Sequence, residues 1–488
     1  MTTLIQPPPP GYRKWWWIPA ALLLVALIVV AVIWLPEHFR TDNSCGDGVV
    51  RAEESGECVG VTDGSVRFSD ELGDIEQRIL AQNTAVANSG EPYVSIVLLT
   101  PMTSGNNDEG NVTTAGIQHR LAGAHLAQLA ANETSIWKRT PKIRLLLANP
   151  GVDFAAWPTV VEQIEARRAA ERIVAVTGIS FSFQNALDAI AELTRLGMPV
   201  IGSTLTVDDL PPWRGFLKVS PPASEHARAA AEFLAGSNDR ILMVRDDSPA
   251  DQYGRTLAEA FRSRFPDDPQ RLVPRPETFD SEAGDVSIAF HLMMPNICRL
   301  APGTIYFAGR GADALEFLTA LATRPCNDTP IQVVTADDMP YYQLAEVPAG
   351  KALETGVRVL YTGLVHPQAW ADQPDRFNRF SVEQFSPDCP GPICYKDFSD
   401  GNLDDFAAIM EHDAVVTAVQ AIRNAAAYVG EIVDSGPVLQ AMKGLHSDRK
   451  FLAAGGTLSF DEHGLPMDKP IPILEAKLGA PPEYIGLP

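Results

Sequence analysis

Three stretches of this sequence combine residue types that can do chemistry. Gly309-Arg310-Gly311-Ala312-Asp313-Ala314 follows an apolar run, opens a helical one, and is followed by Asp337 at the end of the next apolar run. That pattern imitates the glycine turn and acidic ribose partner of a dinucleotide site. It stands deep in the chain rather than in the first β-α-β unit, so it reads as an ordinary strand-to-helix turn. Gly178-Ile179-Ser180-Phe181-Ser182 places hydroxyls at another such junction but lacks the second glycine of a nucleophile elbow. Beside the backbone N–H groups that open a helix near Asn185, such hydroxyls suit a carboxylate or other anion, or serve as a helix cap. Glu411-His412-Asp413 lies in a helical run over residues 404–426. Adjacent helical side chains diverge by about 100° and cannot converge on one metal, so a solvated face with one core-facing member is expected. No Cys-x-x-Cys pair and no Gly-x-x-x-x-Gly-Lys loop occurs, and the sequence calls for no metal and no cofactor.

These residues need elements to position them. From residue 93 onward, YVSIVLLT (93–100), KIRLLLAN (142–149), RIVAVTG (172–178) and MPVIG (198–202) read as buried parallel strands. Helices are expected between them at 113–131, 159–170 and 185–196. After FLKVSPP (216–222) the pattern restarts with RILMVRD (240–246), TIYFAG (304–309) and IQVVTAD (331–337). Alternation over roughly 400 residues exceeds one doubly wound sheet, so the expected fold is α/β with two lobes on central parallel sheets. Ligands of such sheets bind beyond the strand C-termini, and two lobes facing each other there enclose a small molecule.

The stretch WWWIPAALLLVALIVVAVIWL (15–35) carries no charge and matches the ~20 residues that cross a bilayer. Arg13 and Lys14 precede it, so residues 1–14 are expected in the cytoplasm and the remainder outside, in a single-pass plasma-membrane protein. Cleavage as a signal peptide is the competing reading. Six cysteines form three sequence-local pairs, Cys45 with Cys58, Cys298 with Cys326 and Cys389 with Cys394, which suits an oxidising compartment. Six cysteines allow 15 connectivities, and neighbour pairing is the expectation. Residues 36–90, with Leu72, Ile75, Ile79 and Leu80 at helical spacing, read as a disulfide-stapled neck. A formal charge of -22 argues against a nucleic-acid partner.

Four segments follow one another in a familiar order: ISFSFQNALDAIAELTRLGMPVIGSTLTVDDL (179–210), RILMVRDDSPADQYGRTLAEAF (240–261), EHDAVVTAVQAI (411–422) and GGTLSFDEHG (455–464). On these the chain resembles the type I periplasmic solute-binding proteins, particularly their leucine/isoleucine/valine-binding branch. The resemblance implies two Rossmann-like lobes joined by three crossovers, near 216–223, 337–364 and 460–470, closing like jaws on an amino acid. Lobe one would take residues 91–220 with 360–455, and lobe two 221–340 with 465–488. It further implies that Ser180, with Ser182 beside it, receives a ligand carboxylate, and that Thr204 and Thr206 grip both ligand ends. Tyr253 lines lobe two, and Asp337, with Asp338 as a near alternative, pairs with the ammonium. Arg310 stands where the family places an aromatic, the loop 104–110 offers none after the first strand, and Asn149-Pro150 replaces an Asp-Asp pair. The expected function is capture of an amino acid or amide-like solute for an ABC permease. A ligand-sensing ectodomain with a separate membrane signalling partner is the alternative, and an extracellular enzyme a third.

Overall fold

The computed structural model describes residues 44–53, 55–103, 113–134, 140–180, 184–249, 251–265, 268–339, 344, 347–445 and 450–488. The apolar stretch 15–35 and Ser182 lie outside these residues, among which no helix is long and apolar enough to cross a membrane.

Near-continuous apolar runs make strands buried on both faces, and here they make two parallel-rich sheets. The first contains β1 (Ser44–Gly46), β2 (Val49–Arg51), β3 (Cys58–Thr62), β4 (Tyr93–Leu99), β5 (Lys142–Asn149), β6 (Ile173–Ile179), β7 (Val200–Gly202) and β8 (Phe216–Lys218), in the order β1-β2-β3-β5-β4-β6-β7-β8. The second contains β9 (Ile241–Asp246), β10 (Glu277–Phe279), β11 (Thr304–Ala308), β12 (Ile331–Thr335) and β13 (Val357–Thr362). After the small hairpin of β14 (Phe451–Ala453) and β15 (Gly456–Leu458), β16 (Ile473–Lys477) and β17 (Ala480–Gly486) complete it, in the order β10-β9-β11-β12-β13-β16-β17. In each sheet the five parallel strands are wound 2-1-3-4-5, so the winding reverses between the first and third strand, β4 and β6 in one sheet and β9 and β11 in the other. In a sheet wound this way, the switch point beyond the strand C-termini is where a ligand crevice is expected.

Two expectations about boundaries are corrected. Residues 44–88 are no detached neck: β3 pairs antiparallel with β5, Gly60 opposite Asn149, and extends the first sheet. The Gly73–Asn88 helix then covers β5, burying Leu72, Ile75 and Ile79. Its Asn83 side chain donates to Leu145 O and accepts from Leu145 N, each at 2.8 Å, which satisfies the strand backbone as a further strand would. The second correction concerns residue 360, expected in lobe one: β13 is the fifth parallel strand of the second sheet, paired with β12 from Ile331–Val357 to Thr335–Tyr361. The crossover back to the first sheet therefore follows Thr362.

The disulfides pair as the local spacing suggests, Cys45–Cys58, Cys298–Cys326 and Cys389–Cys394, with Cα separations of 5.9, 5.6 and 5.8 Å.

The Ala407–Val429 helix is the other surprise. Glu411, His412 and Asp413 are all wholly buried, where one core-facing member of a solvated face was expected. The helix packs against the Thr114–Glu133 helix on one side and β6, β7 and the Ser435–Met442 helix on others, so little of it reaches water. The two long helices touch backbone to backbone, since a Cβ on Gly123 would run into the Ala408 carbonyl. A Gly123→Ala change is expected to force the pair apart and cost ~1–3 kcal/mol, read as a lower urea midpoint with unchanged slope. A midpoint equal to that of the parent would refute the contact.

Burial pushes the Glu411 carboxyl up from 4.5 to about 7, partly opposed by the Arg120 charge and the Ser203 and Thr177 hydroxyls. Between those pH values the folded protein holds a proton that the unfolded chain has released. This contribution to stability is complete below pH 4.5 and lost as pH rises to about 7. Glu411→Gln should remove roughly 1–3 kcal/mol of that decline. Urea midpoints from pH 5 to 8 should therefore fall less steeply in the variant, and parallel profiles would count against it.

Candidate ligand-binding site

The C-terminal ends of β6 and β7 bring one chain of polar groups together. Gly178, at φ 92°, lets the end of β6 bend close to Leu98 and Leu99 of β4, where a side chain would collide. Ser180, two residues on, is buried: its hydroxyl donates to Gly178 O at 2.7 Å and lies 3.0 Å from Ser203 Oγ. The Thr204 hydroxyl donates to Ser180 O at 2.8 Å and accepts from Arg120 Nη1 at 3.3 Å. Ser180 and Thr204, predicted from sequence, thus sit in one network, and Thr206, also buried, stands behind them with its carbonyl taken by Ala223 N at 2.8 Å. In this arrangement the Ser180 proton points inward.

Arg120 was missed by the sequence reading. It rises from the Thr114–Glu133 helix as that helix's one Arg or Lys, beside His119 and before Leu121-Ala122-Gly123, and such a lone cation was the available signal. Burial holds its pKa down while the charges of Glu411 and Asp405 oppose that. Neither Glu411 carboxylate oxygen makes a hydrogen bond of ordinary geometry. Beside Arg120, His119 is gripped between Asp405 at 2.6 Å and Asp400 at 3.1 Å, and those carboxylates raise its pKa despite burial.

The second sheet presents a different mouth. Asp251 caps the Gln252–Arg262 helix, its Oδ2 accepting from Gly254 N at 2.8 Å, which fixes Tyr253 in the first turn. The buried Tyr253 hydroxyl donates to Asp337 Oδ1 at 2.9 Å, and burial together with the Asp337 charge raises the phenol's pKa. Arg310 precedes the Gly311–Ala322 helix as its cap residue. Its guanidinium lies 4.5 Å from the centre of the Tyr253 ring, while Nε donates to Asp251 Oδ1 at 3.2 Å. Asp338 accepts from Gly311 N at 3.0 Å, so it serves that helix's N-terminus, whereas Asp337 faces Tyr253. Asp313 is raised to about 6 by burial and by the neighbouring Asp246 and Asp251 charges. Tyr253, Arg310 and Asp337 therefore cluster.

Two buried bases lie within reach of the Asp337 charge. Lys218, at the end of β8, donates from Nζ to Val207 O at 2.6 Å, and burial lowers its pKa to about 7 against the opposing charges of Asp208, Asp337 and Asp461. His226 shares a hydrogen bond with Thr362 Oγ1 at 2.9 Å while its Nε2 is unpartnered. Neither was visible in the sequence, because both depend on which crossovers touch. Among the described residues no cluster of three or more His, Cys, Asp or Glu side chains is placed to hold a metal. A cavity of about 1050 Å³ lies elsewhere, between the Ala407–Val429 and Ser435–Met442 helices, lined by Gln420, Asn424, Tyr428 and Gln440.

No family model matches the chain, and no curated protein matches it by sequence. Solved structures do match its fold. An ABC transporter substrate-binding protein from Desulfitobacterium hafniense, in complex with Leu, is 18% identical with a TM-score of 0.55 over 80% of this chain and 100% of its own. The branched-chain amino acid transporter substrate binding protein of Streptococcus pneumoniae, in complex with isoleucine, is 15% identical with a TM-score of 0.54 over 81% and 100%. A solute binding protein of an ABC transporter from R. palustris, in complex with benzoate, is 14% identical with a TM-score of 0.51 over 81% and 96%. The chain therefore has the two-lobed α/β fold of the ABC transporter substrate-binding proteins.

Proposed function

We propose that the chain is a membrane-anchored, extracytoplasmic solute-binding protein that closes two lobes on an amino acid or amide-like molecule and delivers it to an ABC permease. One observation carries the reading: both mouths lie at equivalent switch points of the two sheets, and their polar groups differ in kind. The first offers Arg120 with Ser180, Thr204 and Thr206, and the second offers Asp337 beside Tyr253. Leucine, isoleucine and benzoate, the ligands of the three similar structures, share a carboxylate. A carboxylate suits the first mouth, and an ammonium suits Asp337. Arg310, half exposed over Tyr253, favours an acidic or amide side chain over leucine. Ser182 is retained as a candidate from its place beside Ser180. Contacts from both lobes stabilise the closed form over the open one, which is the form a permease distinguishes. Binding without turnover accounts for these groups, since no nucleophile and base stand together among them. The apolar stretch 15–35 supplies the anchor, and a net charge of -22 suits a soluble outer domain.

Asp337→Ala should remove a charge-assisted hydrogen bond of ~1.5–3 kcal/mol and weaken binding roughly 10- to 100-fold. Ser180→Ala should weaken it less, since its hydroxyl already donates to Gly178 O. Isothermal titration of the detergent-solubilised full chain with amino acids and short amides measures both. Unchanged affinity in the two variants would place the ligand elsewhere.

A further inference from the structure

The residues before Tyr93 change where the chain leaves the first lobe. β4 begins at the end of the sheet remote from Ser180 and Thr204, because β4, β5 and β6 run in parallel toward those residues. A polypeptide starting at β4 would leave from that remote end. Here the preceding strands reverse the exit. Ser44 stands opposite Val50, Val50 opposite Val59, and Gly60 opposite Asn149, the last residue of β5. Ser44 is therefore level with the C-terminal end of β5. Three successive antiparallel pairings make β1 antiparallel to β5, so β1 begins, at Ser44, on the cleft side of the sheet.

Two contacts hold that exit in place. Cys45–Cys58 joins the first strand to the start of β3. Next to it, Glu57 accepts from Val152 N at 3.3 Å and from the Thr103 hydroxyl, binding the loops that follow β5 and β4. The extension thus grips the rim of the mouth.

We infer that this extension turns the first lobe so that its cleft rim, rather than its far end, faces the lipid bilayer. The inference rests on the membrane anchor proposed above. Only residues 36–43 separate the apolar stretch from Ser44, and eight residues reach at most about 28 Å. The far end is marked by Ile432, 92% exposed beside Ser435. The Ser435 hydroxyl is bonded by Arg168, which also donates to Leu196 O at 3.0 Å and Gly197 O at 3.2 Å in the turn before β7. The seven residues of β4 alone separate the two ends by ~20 Å. A net charge of -22 is repelled by anionic lipid, so the tether rather than surface adhesion sets the orientation. A solute leaving the cleft then meets the membrane first, and a partner embedded there reaches both mouths without the lobes turning over.

The test places one fluorophore on the full chain, either through Glu53→Cys in the exposed turn between β2 and β3 or through Ile432→Cys. Each labelled protein is reconstituted into phosphatidylcholine vesicles containing a headgroup-labelled acceptor lipid. Energy transfer from position 53 is expected to exceed that from position 432 at least twofold. Equal transfer, or more from position 432, with the chain floating with the vesicles overturns the orientation while leaving the anchor intact. Recovery of the chain in the aqueous phase overturns the anchor and the orientation together. Ligand titration of the same vesicles reports separately on solute capture.

Discussion

One buried carboxylate holds the two lobes to a common frame. Asp413, in the long helix of the first lobe, accepts from Ala454 N at 3.1 Å and Gly455 N at 2.8 Å, and lies 3.6 Å from the Lys469 ammonium. Lys469 in turn donates to Gly455 O at 2.9 Å, just before β16 enters the second sheet. An unpaired charge at either position would cost several kcal/mol, so the helix and the third crossover cannot separate without exposing both to a large penalty. The same crossover carries Gly464, whose φ of 80° and close approach to the Phe216 carbonyl exclude a side chain. Its own carbonyl accepts from Lys218 N at 3.0 Å, which lays the third crossover against the first. The positions of both mouths follow from that joint.

Placed by this frame, the mouths differ electrostatically. Around the first, Arg120 is opposed by Glu411, but burial keeps the carboxyl near a pKa of about 7, so close to neutrality that opposition is incomplete. Around the second, Asp251 bonds Arg310, and Asp313 is held up at about 6 by burial first and then by the charges of Asp246, Asp251 and Asp338, against that of Arg310. Under the proposed function, these charges favour a dipolar solute with its anionic end toward the first lobe. Lys218 and His226, both buried, feel the charge of Asp337, which works against the lowering of their pKa by burial.

Much of this was legible in the sequence, for reasons that differ by element. Runs such as KIRLLLAN are strands because both faces are covered, and β5 spans the whole run from Lys142 to Asn149. Ser180 and Asp337 stood out at the ends of apolar runs, where ligands of doubly wound sheets bind, whereas Thr204 and Tyr253 came only from the resemblance to the type I solute-binding proteins. β13 was harder: VRVLYT interrupts its apolar run with Arg358, whose guanidinium finds Glu475 of β16 at 2.6 Å, a partner more than a hundred residues away. Glu411-His412-Asp413 looked solvated because charge usually implies water, and only the tertiary partners Arg120 and Lys469 permit its burial. Arg120 and Lys218 escaped for the same reason. The short strands β1 to β3 carry too few residues for a period of two to register, and a disulfide and β5 hold them instead.

The outer strands explain why recognition falls to strand ends rather than to sheet edges. An exposed edge offers unpaired N–H and C=O groups on which another chain can add a strand. Here β1, β8 and β10, the outermost strands on three sides, are three residues long. The fourth, β17, has seven residues but carries Pro481 and Pro482, which lack the donors that pairing needs. Among the described residues, the edges of these two sheets are thus short or poor in donors. Edge pairing is limited along the sides of each sheet, while the polar groups of the candidate site gather at its end, so the two demands on the sheet do not compete for the same residues.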